Sequence, residues 1–227
     1  QMIDFSGKRG LVLGVGNQRS IAWAVVERLH QQGAELGLTF LRDPKGRFEA
    51  NVRKLGEQTS ATLIAECDVA SDESIGALIK QVDEQWGELD FLVHSLAYAD
   101  TQDLSKPFSE TLRDGFNKAM EISAYSLLPL AKGVIPMMRK RGGGSIVSMS
   151  FIGSTLAVPN YNVMGPAKAA LESCTRYLAR ELGPENIRIN SLSPGAIRTL
   201  SSAGIKDISE MIRVAGEHSA MKRTATQ

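Results

Sequence analysis

Short apolar runs alternate with segments of helical periodicity along the whole chain. The first run, residues 11–13, ends in Gly14, and apolar side chains then recur at helical spacing until Gly33. The same alternation continues through a sixth apolar run. It predicts strands at 11–13, 36–40, 62–67, 91–94, 145–149 and 187–192, and helices at 20–32, 47–55, 74–86 and 112–139, with a further helix that contains Lys168 and runs to 182.

This strict alternation is typical of an α/β protein with a Rossmann-type, doubly wound parallel sheet and helices on both faces. No internal repeat, low-complexity tract or linker interrupts the pattern, so residues 1–227 are predicted to form a single domain. Ligands of such sheets bind beyond the carboxyl ends of the strands. The candidate ligand-binding segments are therefore 14–20, 68–69, 95–99, 150–151 and 194–200.

The composition is that of an ordinary globular protein, with 227 residues, 43% hydrophobic, 22% charged and a formal net charge of +1. This balance gives no reason to expect nucleic acid or a membrane as a partner. Cys67 and Cys174, with three scattered histidines, form no metal-ligand pattern, so no metal site is predicted. No apolar run approaches the ~20 residues that span a bilayer, and the first residues are not those of a signal peptide, so a cytoplasmic location is expected.

The segment between the first strand and the first helix is a candidate phosphate-binding turn. Gly14 and Gly16 permit a tight turn and a close approach of the backbone to a pyrophosphate, although the usual third glycine is absent. Ser20 can cap the helix and offer its hydroxyl to a phosphate, and Ala22 is small enough for close packing on the strand. A glycine-rich turn with no ligand is the alternative. The position after the first strand favours nucleotide binding.

The ends of the second and third predicted strands bear on which dinucleotide binds. Asp68, before Val69, can accept a hydrogen bond from an adenine amino group; the alternative is a helix N-cap. An acid that binds the ribose normally ends the second strand, but Phe40, Leu41 and Arg42 are found there. Arg42 either binds a 2′-phosphate through its guanidinium or is an ordinary surface arginine. NADH is favoured because only one basic residue is present, and NADPH stays open.

Tyr161 and Lys168 are the candidate catalytic pair, seven residues apart. Both would lie on one face of a helix, about 10.5 Å apart along its axis, where a hydroxyl and an ammonium can polarise a carbonyl. The spacing alone is weak, since it arises often by chance. Pro166 lacks an N–H and fits best in a first helical turn, which favours a helix start near Met164 or Gly165.

Taken together, several motifs resemble the enoyl-acyl carrier protein reductases of bacterial fatty-acid synthesis, a branch of the short-chain dehydrogenase/reductase superfamily. The resemblance extends over essentially the whole chain and rests on the order and spacing of the motifs. It implies reduction of the double bond of a trans-2-enoyl thioester on acyl carrier protein, a homotetramer, and a further helix and seventh strand after Gln227. The motifs are Gly14…Ser20-Ile21-Ala22, Cys67-Asp68-Val69, Val93-His94-Ser95, residues 122–126, residues 159–164 and residues 197–207.

The resemblance also implies roles for individual residues. Tyr161 would stabilise the enolate oxygen, and Lys168 would hold the nicotinamide ribose. Residues 200–211 would form a lid over the substrate, with an ordinary surface helix as the alternative. The implied cofactor-binding residues are Gly14, Ser20, Ile21, Leu41, Asp68, Val69, Ser95, Leu96, Lys168, Ile197, Thr199, Leu200 and Ser201, and the implied substrate-binding residues are Ala99, Phe151, Tyr161, Met164 and Ile205.

The sequence also bears on other functions of this superfamily. An ordinary ketone reductase of the superfamily carries a tyrosine four residues before its lysine, where this chain has Met164, which has no proton to donate. Phe151 stands where many relatives have a second tyrosine, so no proton-donating role is assigned to it. Ser148 and Ser150 are assigned to packing and turn formation. The remaining alternatives are a reductase of another activated alkene or carbonyl, and a dinucleotide-binding protein without turnover.

Overall fold

The computed structural model of this protein describes residues 4–199, Ser202 and residues 205–226. Its sheet has six parallel strands in the order β3-β2-β1-β4-β5-β6. The strand order reverses between β1 and β4, as it does in a doubly wound sheet. The strands are β1 Arg9–Leu13, β2 Glu35–Phe40, β3 Leu63–Glu66, β4 Phe91–His94, β5 Gly144–Met149 and β6 Ile187–Leu192.

Helices connect the strands and cover both faces of the sheet. The long helical region predicted over residues 112–139 is confirmed in extent, but a π-helix, Glu121–Tyr125, divides it into two α-helices. Pro129 follows this interruption, and a proline there has no N–H to donate to the carbonyl of Tyr125. The α-helices are α1 Ile21–Gln31, α2 Arg47–Gln58, α3 Asp72–Trp86, α4 Thr101–Ser105, α5 Arg113–Met120, α6 Leu127–Lys140, α7 Met164–Leu182 and α8 Ile208–His218.

Two hydrophobic cores lie on opposite faces of the sheet. Leu11 and Leu13 of β1 belong to the core that α3, α6 and α7 cover. Val12, between them, belongs to the core that α1 and α2 cover. Because successive side chains of a strand point to opposite faces, this division places helical layers on both sides of the sheet.

The predicted α/β fold is thus confirmed, and each predicted strand is present within one or two residues of its expected bounds. The short helix α4 was not predicted, since its five residues are too few to show a helical period. Among the described residues, no helix has both the length and the apolar character needed to cross a membrane.

Candidate active site

A cavity of about 380 Å³ lies at the carboxyl edge of the sheet, where the strand order reverses between β1 and β4. Residues that follow β1, β4, β5 and β6 line it, together with the start of α7 and the first turns of α8. This is the place at which open parallel sheets bind ligands. Of the predicted site residues, those in the cavity lining are Gly14, Ser20, Ile21, Ser95, Leu96, Ala99, Phe151, Tyr161, Met164, Lys168, Ile197, Thr199 and Ile205.

The turn after β1 approaches β4 too closely for any residue with a side chain. Gly14 has φ +96°, and a Cβ atom there would lie 1.9 Å from the carbonyl oxygen of Ser95. Ser20 caps α1: its Oγ accepts from the Trp23 amide at 3.3 Å and donates to the Asn17 carbonyl at 2.7 Å. The turn and the N-terminus of α1 therefore both face the cavity, in an arrangement suited to a pyrophosphate.

Lys168 is a buried cation at the cavity wall, with 4% of its surface exposed. Its Nζ donates to the Met149 carbonyl at 2.7 Å and to the Leu96 carbonyl at 3.1 Å. An ammonium has three donors, so one remains for a ligand in the cavity. Burial lowers the pKa of Lys168 to about 8, and the negative charge of Glu172 opposes that effect. The side chain is therefore mostly protonated at neutral pH.

Tyr161 lines the same cavity and lies in an apolar surround. Its ring packs on Phe151 with the centroids 4.8 Å apart, and the side chain is 8% exposed. No described residue forms a hydrogen bond with its hydroxyl. Burial raises the pKa of Tyr161, so the phenol stays protonated over the physiological range. A neutral O–H with no described protein partner is free to donate to a ligand oxygen.

The start of α7 corrects one prediction about this pair. The helix begins at Met164, so Tyr161 lies in the turns before it, and the two residues do not share one helical face. Pro166 is the third residue of α7, as its missing N–H favours. The first four N–H groups of a helix have no partner within it, so Pro166 removes no hydrogen bond there.

The wall beside Tyr161 is apolar. A small hydrophobic cluster joins Leu104, Tyr161, Val163 and Met164, and Ala99, Phe151 and Ile205 pack against it. Ile208 and Met211 of α8 also reach the cavity. These side chains offer a hydrocarbon surface and no charge, which suits an acyl chain. Residues 205–211 of the predicted lid therefore border the cavity, and whether they move on binding stays a prediction.

Some predicted cofactor residues lie elsewhere. Leu41 follows β2 and is 50% exposed, and Asp68 and Val69 follow β3; none of them lines the cavity. The Asp68 carboxylate accepts from the Ala70 amide at 3.0 Å, while Ser71 is the N-cap of α3, so the N-cap alternative for Asp68 is wrong. These residues occupy the open edge of the sheet, beyond the enclosed part of the site. Leu200 and Ser201 lie outside the described residues.

The end of β2 also carries Arg42, whose role the sequence left open. Its Nη2 lies 2.6 Å from Glu66 Oε2 at the end of β3, and its side chain is 74% exposed. The guanidinium is thus paired with a carboxylate in the region where a 2′-phosphate would need it. This pairing places a negative charge beside the expected ribose position.

Two residues of the predicted ligand-binding segments, Tyr98 and Ser150, also line the cavity, although Ser150 was expected only in packing and turn formation. Tyr98 lines the cavity, and its hydroxyl donates to Asp100 Oδ1 at 2.6 Å. Ser150 also lines it, and its hydroxyl donates to Glu172 Oε1 at 2.5 Å. Both follow a strand, as the strand-end rule predicts, but the rule does not identify their side-chain partners Asp100 and Glu172. Ser148 instead lies in a buried hydroxyl cluster, outside the cavity lining.

The residues at this edge fit a dinucleotide. Gly14 lets the turn lie directly against Ser95 at the end of β4, Ser20 marks a helix N-terminus, and Lys168 keeps one donor for ribose hydroxyls. They do not fit a metal ion: the described residues contain no group of three or more His, Cys, Asp or Glu side chains close enough to hold one.

Comparisons with known proteins agree with this geometry. The family model described as enoyl-(acyl carrier protein) reductase matches residues 14–227. The chain is 48% identical over 226 residues to an NADH enoyl-[acyl-carrier-protein] reductase of Synechocystis sp., which covers 100% of this chain and 87% of the relative. A relative of the same name from Nostoc sp. is 46% identical over the same shares. The Anaplasma phagocytophilum reductase, solved in complex with NAD, superposes with a TM-score of 0.92 at 39% identity, over 98% of this chain and 83% of that one. This chain therefore belongs to the enoyl-acyl carrier protein reductase family.

Proposed function

We propose that the protein reduces the carbon–carbon double bond of trans-2-enoyl thioesters carried by acyl carrier protein, with hydride from NADH. The observation that carries the proposal is the pairing of Tyr161 and Lys168 in one cavity, with Met164 at the position four residues before the lysine. A ketone reductase would need its acid at that position. The family membership supports the same reaction.

Tyr161 and Lys168 have separate roles in this reaction. NADH, when bound, supplies the hydride that the β-carbon of the substrate accepts. The Tyr161 hydroxyl donates a hydrogen bond to the thioester oxygen and stabilises the negative charge that develops there. The remaining N–H of Lys168 holds the ribose hydroxyls, and its positive charge also favours the enolate. A proton then adds at the α-carbon to complete the saturated thioester.

The preference for NADH over NADPH follows from the end of β2. A 2′-phosphate needs a free cation, and the Arg42 guanidinium is paired with Glu66. If Arg42 left Glu66 to bind the phosphate, the unpaired Glu66 carboxylate would repel the phosphate. The NADH-dependent names of the relatives support the same preference.

The assembly and location of the protein are part of the proposal. Tyr125 and Tyr177 expose 51% and 76% of their surfaces on neighbouring elements, the π-helix and α7, and exposed aromatic residues of this kind are enriched at protein interfaces. They support an interface between copies of the chain, and the family resemblance implies that the assembly is a homotetramer. Cys67 and Cys174 are both free thiols, which suits a cytoplasmic protein.

The test is the reduction of crotonyl thioester by the protein, followed by the loss of nicotinamide absorbance, with NADH and NADPH compared. Acetoacetyl thioester serves as the competing ketone substrate. We expect turnover of the enoyl substrate with NADH, and little with the ketone. Faster reduction of the ketone would overturn the proposal. Cofactor binding without turnover of either substrate would favour the non-catalytic alternative.

A further inference from the structure

We propose that Glu172 is a positioning residue of this reaction, which holds Ser150 in place and supplies the counter-charge of the Lys168 ammonium. The inference rests on the proposed function, because it concerns how the lysine is kept ready for the cofactor. Neither the spacing of the motifs nor the strand-end rule identifies Glu172, which lies in the middle of α7.

The geometry is a closed chain of contacts. Lys168 Nζ donates to the Met149 carbonyl at 2.7 Å, and that carbonyl belongs to the peptide that joins Met149 to Ser150. The Ser150 hydroxyl donates to Glu172 Oε1 at 2.5 Å. Glu172 lies four residues after Lys168 on α7, one helical turn away on the same face. The Glu172 carboxylate therefore holds Ser150, and with it the peptide whose carbonyl accepts the hydrogen bond from the Lys168 ammonium.

Ser150 forms hydrogen bonds through both its backbone and its side chain. Its amide donates to the Leu192 carbonyl at 2.8 Å, and the residue is 5% exposed. With its hydroxyl bound to Glu172, the residue has little freedom to rotate. The carbonyl of the preceding residue thus keeps one direction, toward Lys168. A loss of the carboxylate would release the serine side chain and loosen this carbonyl.

The second contribution of Glu172 is its charge. A buried ammonium is stable only with a compensating negative charge or strong hydrogen bonds. The other titratable groups near Lys168 do not provide one: Tyr161 is a neutral phenol, and His94 on β4 is fully buried and uncharged at neutral pH. The charged and titratable side chains of the elements packed on α7 at this end are exposed; they are Arg113, Asp114 and Lys118 of α5, Glu121 and Tyr125 of the π-helix, and Arg188 of β6.

The two contributions predict different effects for two variants. Glu172→Gln keeps a hydrogen-bond acceptor for Ser150 but removes the charge. Ser150→Ala keeps the charge but removes the hydrogen bond. Glu181→Gln, an exposed glutamate near the end of the same helix, is the matched control. Glu172→Asp keeps the charge on a shorter side chain.

The first measurement is the pH dependence of kcat/KM for NADH, which reports groups of the free enzyme. We expect Glu172→Gln to move the alkaline limb to lower pH by about one unit, because a lost opposite charge destabilises the ammonium form. Glu172→Asp should restore the limb. Ser150→Ala should leave the limb in place and raise the KM for NADH several-fold. Glu181→Gln should match the wild type.

The second measurement needs no turnover. The pH dependence of Lys168 acetylation in the cofactor-free protein, followed by mass spectrometry, gives the pKa of the lysine directly. We expect the same shift to lower pH in Glu172→Gln. A folded Glu172→Gln protein with the wild-type pH profile and the wild-type lysine titration would overturn the inference. A wild-type protein without enoyl reduction would instead overturn the proposed function. The acetylation measurement would still test the effect of Glu172 on Lys168, because it does not depend on turnover.

Discussion

Removal of the Tyr161 hydroxyl should lower turnover without a large loss in the stability of the fold. In Tyr161→Phe the ring keeps its contact with Phe151, whose centroid lies 4.8 Å away, and only the hydroxyl is lost. No described residue donates to or accepts from that hydroxyl. The substitution therefore leaves no described protein group without its partner, which is the usual cause of a large loss in stability.

The expected magnitudes follow from this environment. Turnover loses one hydrogen bond to the developing oxyanion, and such a donor contributes about 10²–10³ in kcat, or roughly 3–4 kcal/mol. The free energy of unfolding should change by less than about 1 kcal/mol, since the lost group sits in an apolar surround. For a chain of this length, that corresponds to a shift in Tm of no more than about 4 °C. NADH affinity should stay near that of the wild type, because Lys168 is untouched.

The assay compares this variant with Tyr98→Phe, which removes a hydroxyl from the same cavity. The Tyr98 hydroxyl is already bound to Asp100 and accepts from Lys118 at 3.2 Å, so it is not available to the substrate. We expect Tyr98→Phe to keep crotonyl thioester turnover within about threefold of the wild type. Turnover of Tyr161→Phe within threefold of the wild type, or equal losses in both variants, would refute the assignment of Tyr161.

Three further predictions concern other parts of the molecule. Burial lowers the pKa of His94 from 6.5 to about 3. Below pH 6.5 this histidine takes up a proton in the unfolded chain but not in the folded one, so acid favours the unfolded state. The free energy of unfolding, measured with urea, should therefore fall by roughly 2–3 kcal/mol between pH 6.5 and about 4.5. Glu66→Gln frees Arg42 and should raise kcat/KM for NADPH roughly three- to tenfold. Gly153→Ala places a Cβ atom 2.4 Å from the Tyr161 ring, so kcat should fall about 10- to 100-fold with KM for NADH unchanged.

Each of these predictions has a matched comparison. His94→Gln should flatten the acid loss of stability between pH 6.5 and about 4.5, and an equal loss in both proteins would exclude His94 as its source. Arg42→Gln should abolish the NADPH gain of the Glu66 variant; a gain that persists would point to another cation. Gly76→Ala adds a methyl group in open space and should leave kcat unchanged, and an equal loss there would contradict the steric explanation.

The sheet was predictable because the relevant interactions are local or repetitive. The apolar runs of β1, β2 and β4 are strands buried on both faces, and alternation with helices fixes a parallel arrangement. The carboxyl ends of parallel strands share one edge, so Gly14, Ser95 and Phe151 were expected at one site although they are distant in sequence. All three line the cavity. The rule also placed Asp68 at that edge, but the cavity does not extend to the end of β3.

The parts that the sequence missed depend on tertiary packing. Nothing local shows that Glu172 meets Ser150, since the contact requires the end of β5 to lie against the middle of α7. The pairing of Arg42 with Glu66 requires two neighbouring strand ends to lie side by side. The π-helix before Pro129 is likewise hidden, because its five residues are too few to show a change of helical period. Side-chain partners across elements are set by the fold rather than by spacing along the chain.

The spacing of Tyr161 and Lys168 acquires its meaning from where α7 begins. A residue four positions before the lysine is Met164, already in the helix, and its side chain lies one turn from Lys168. There it packs in the cluster with Tyr161, with its sulfur 3.9 Å from Ser123 Oγ. A residue seven positions before the lysine is outside the helix, in a turn that carries the hydroxyl to another part of the cavity wall. The two spacings therefore place a proton donor at different distances from the group that holds the ribose. An acid at 164 would reach the oxygen of a carbonyl whose carbon accepts the hydride close to the lysine. The acid at 161 leaves that space apolar and meets an oxygen set further along the substrate, as a thioester conjugated to the reacting double bond requires.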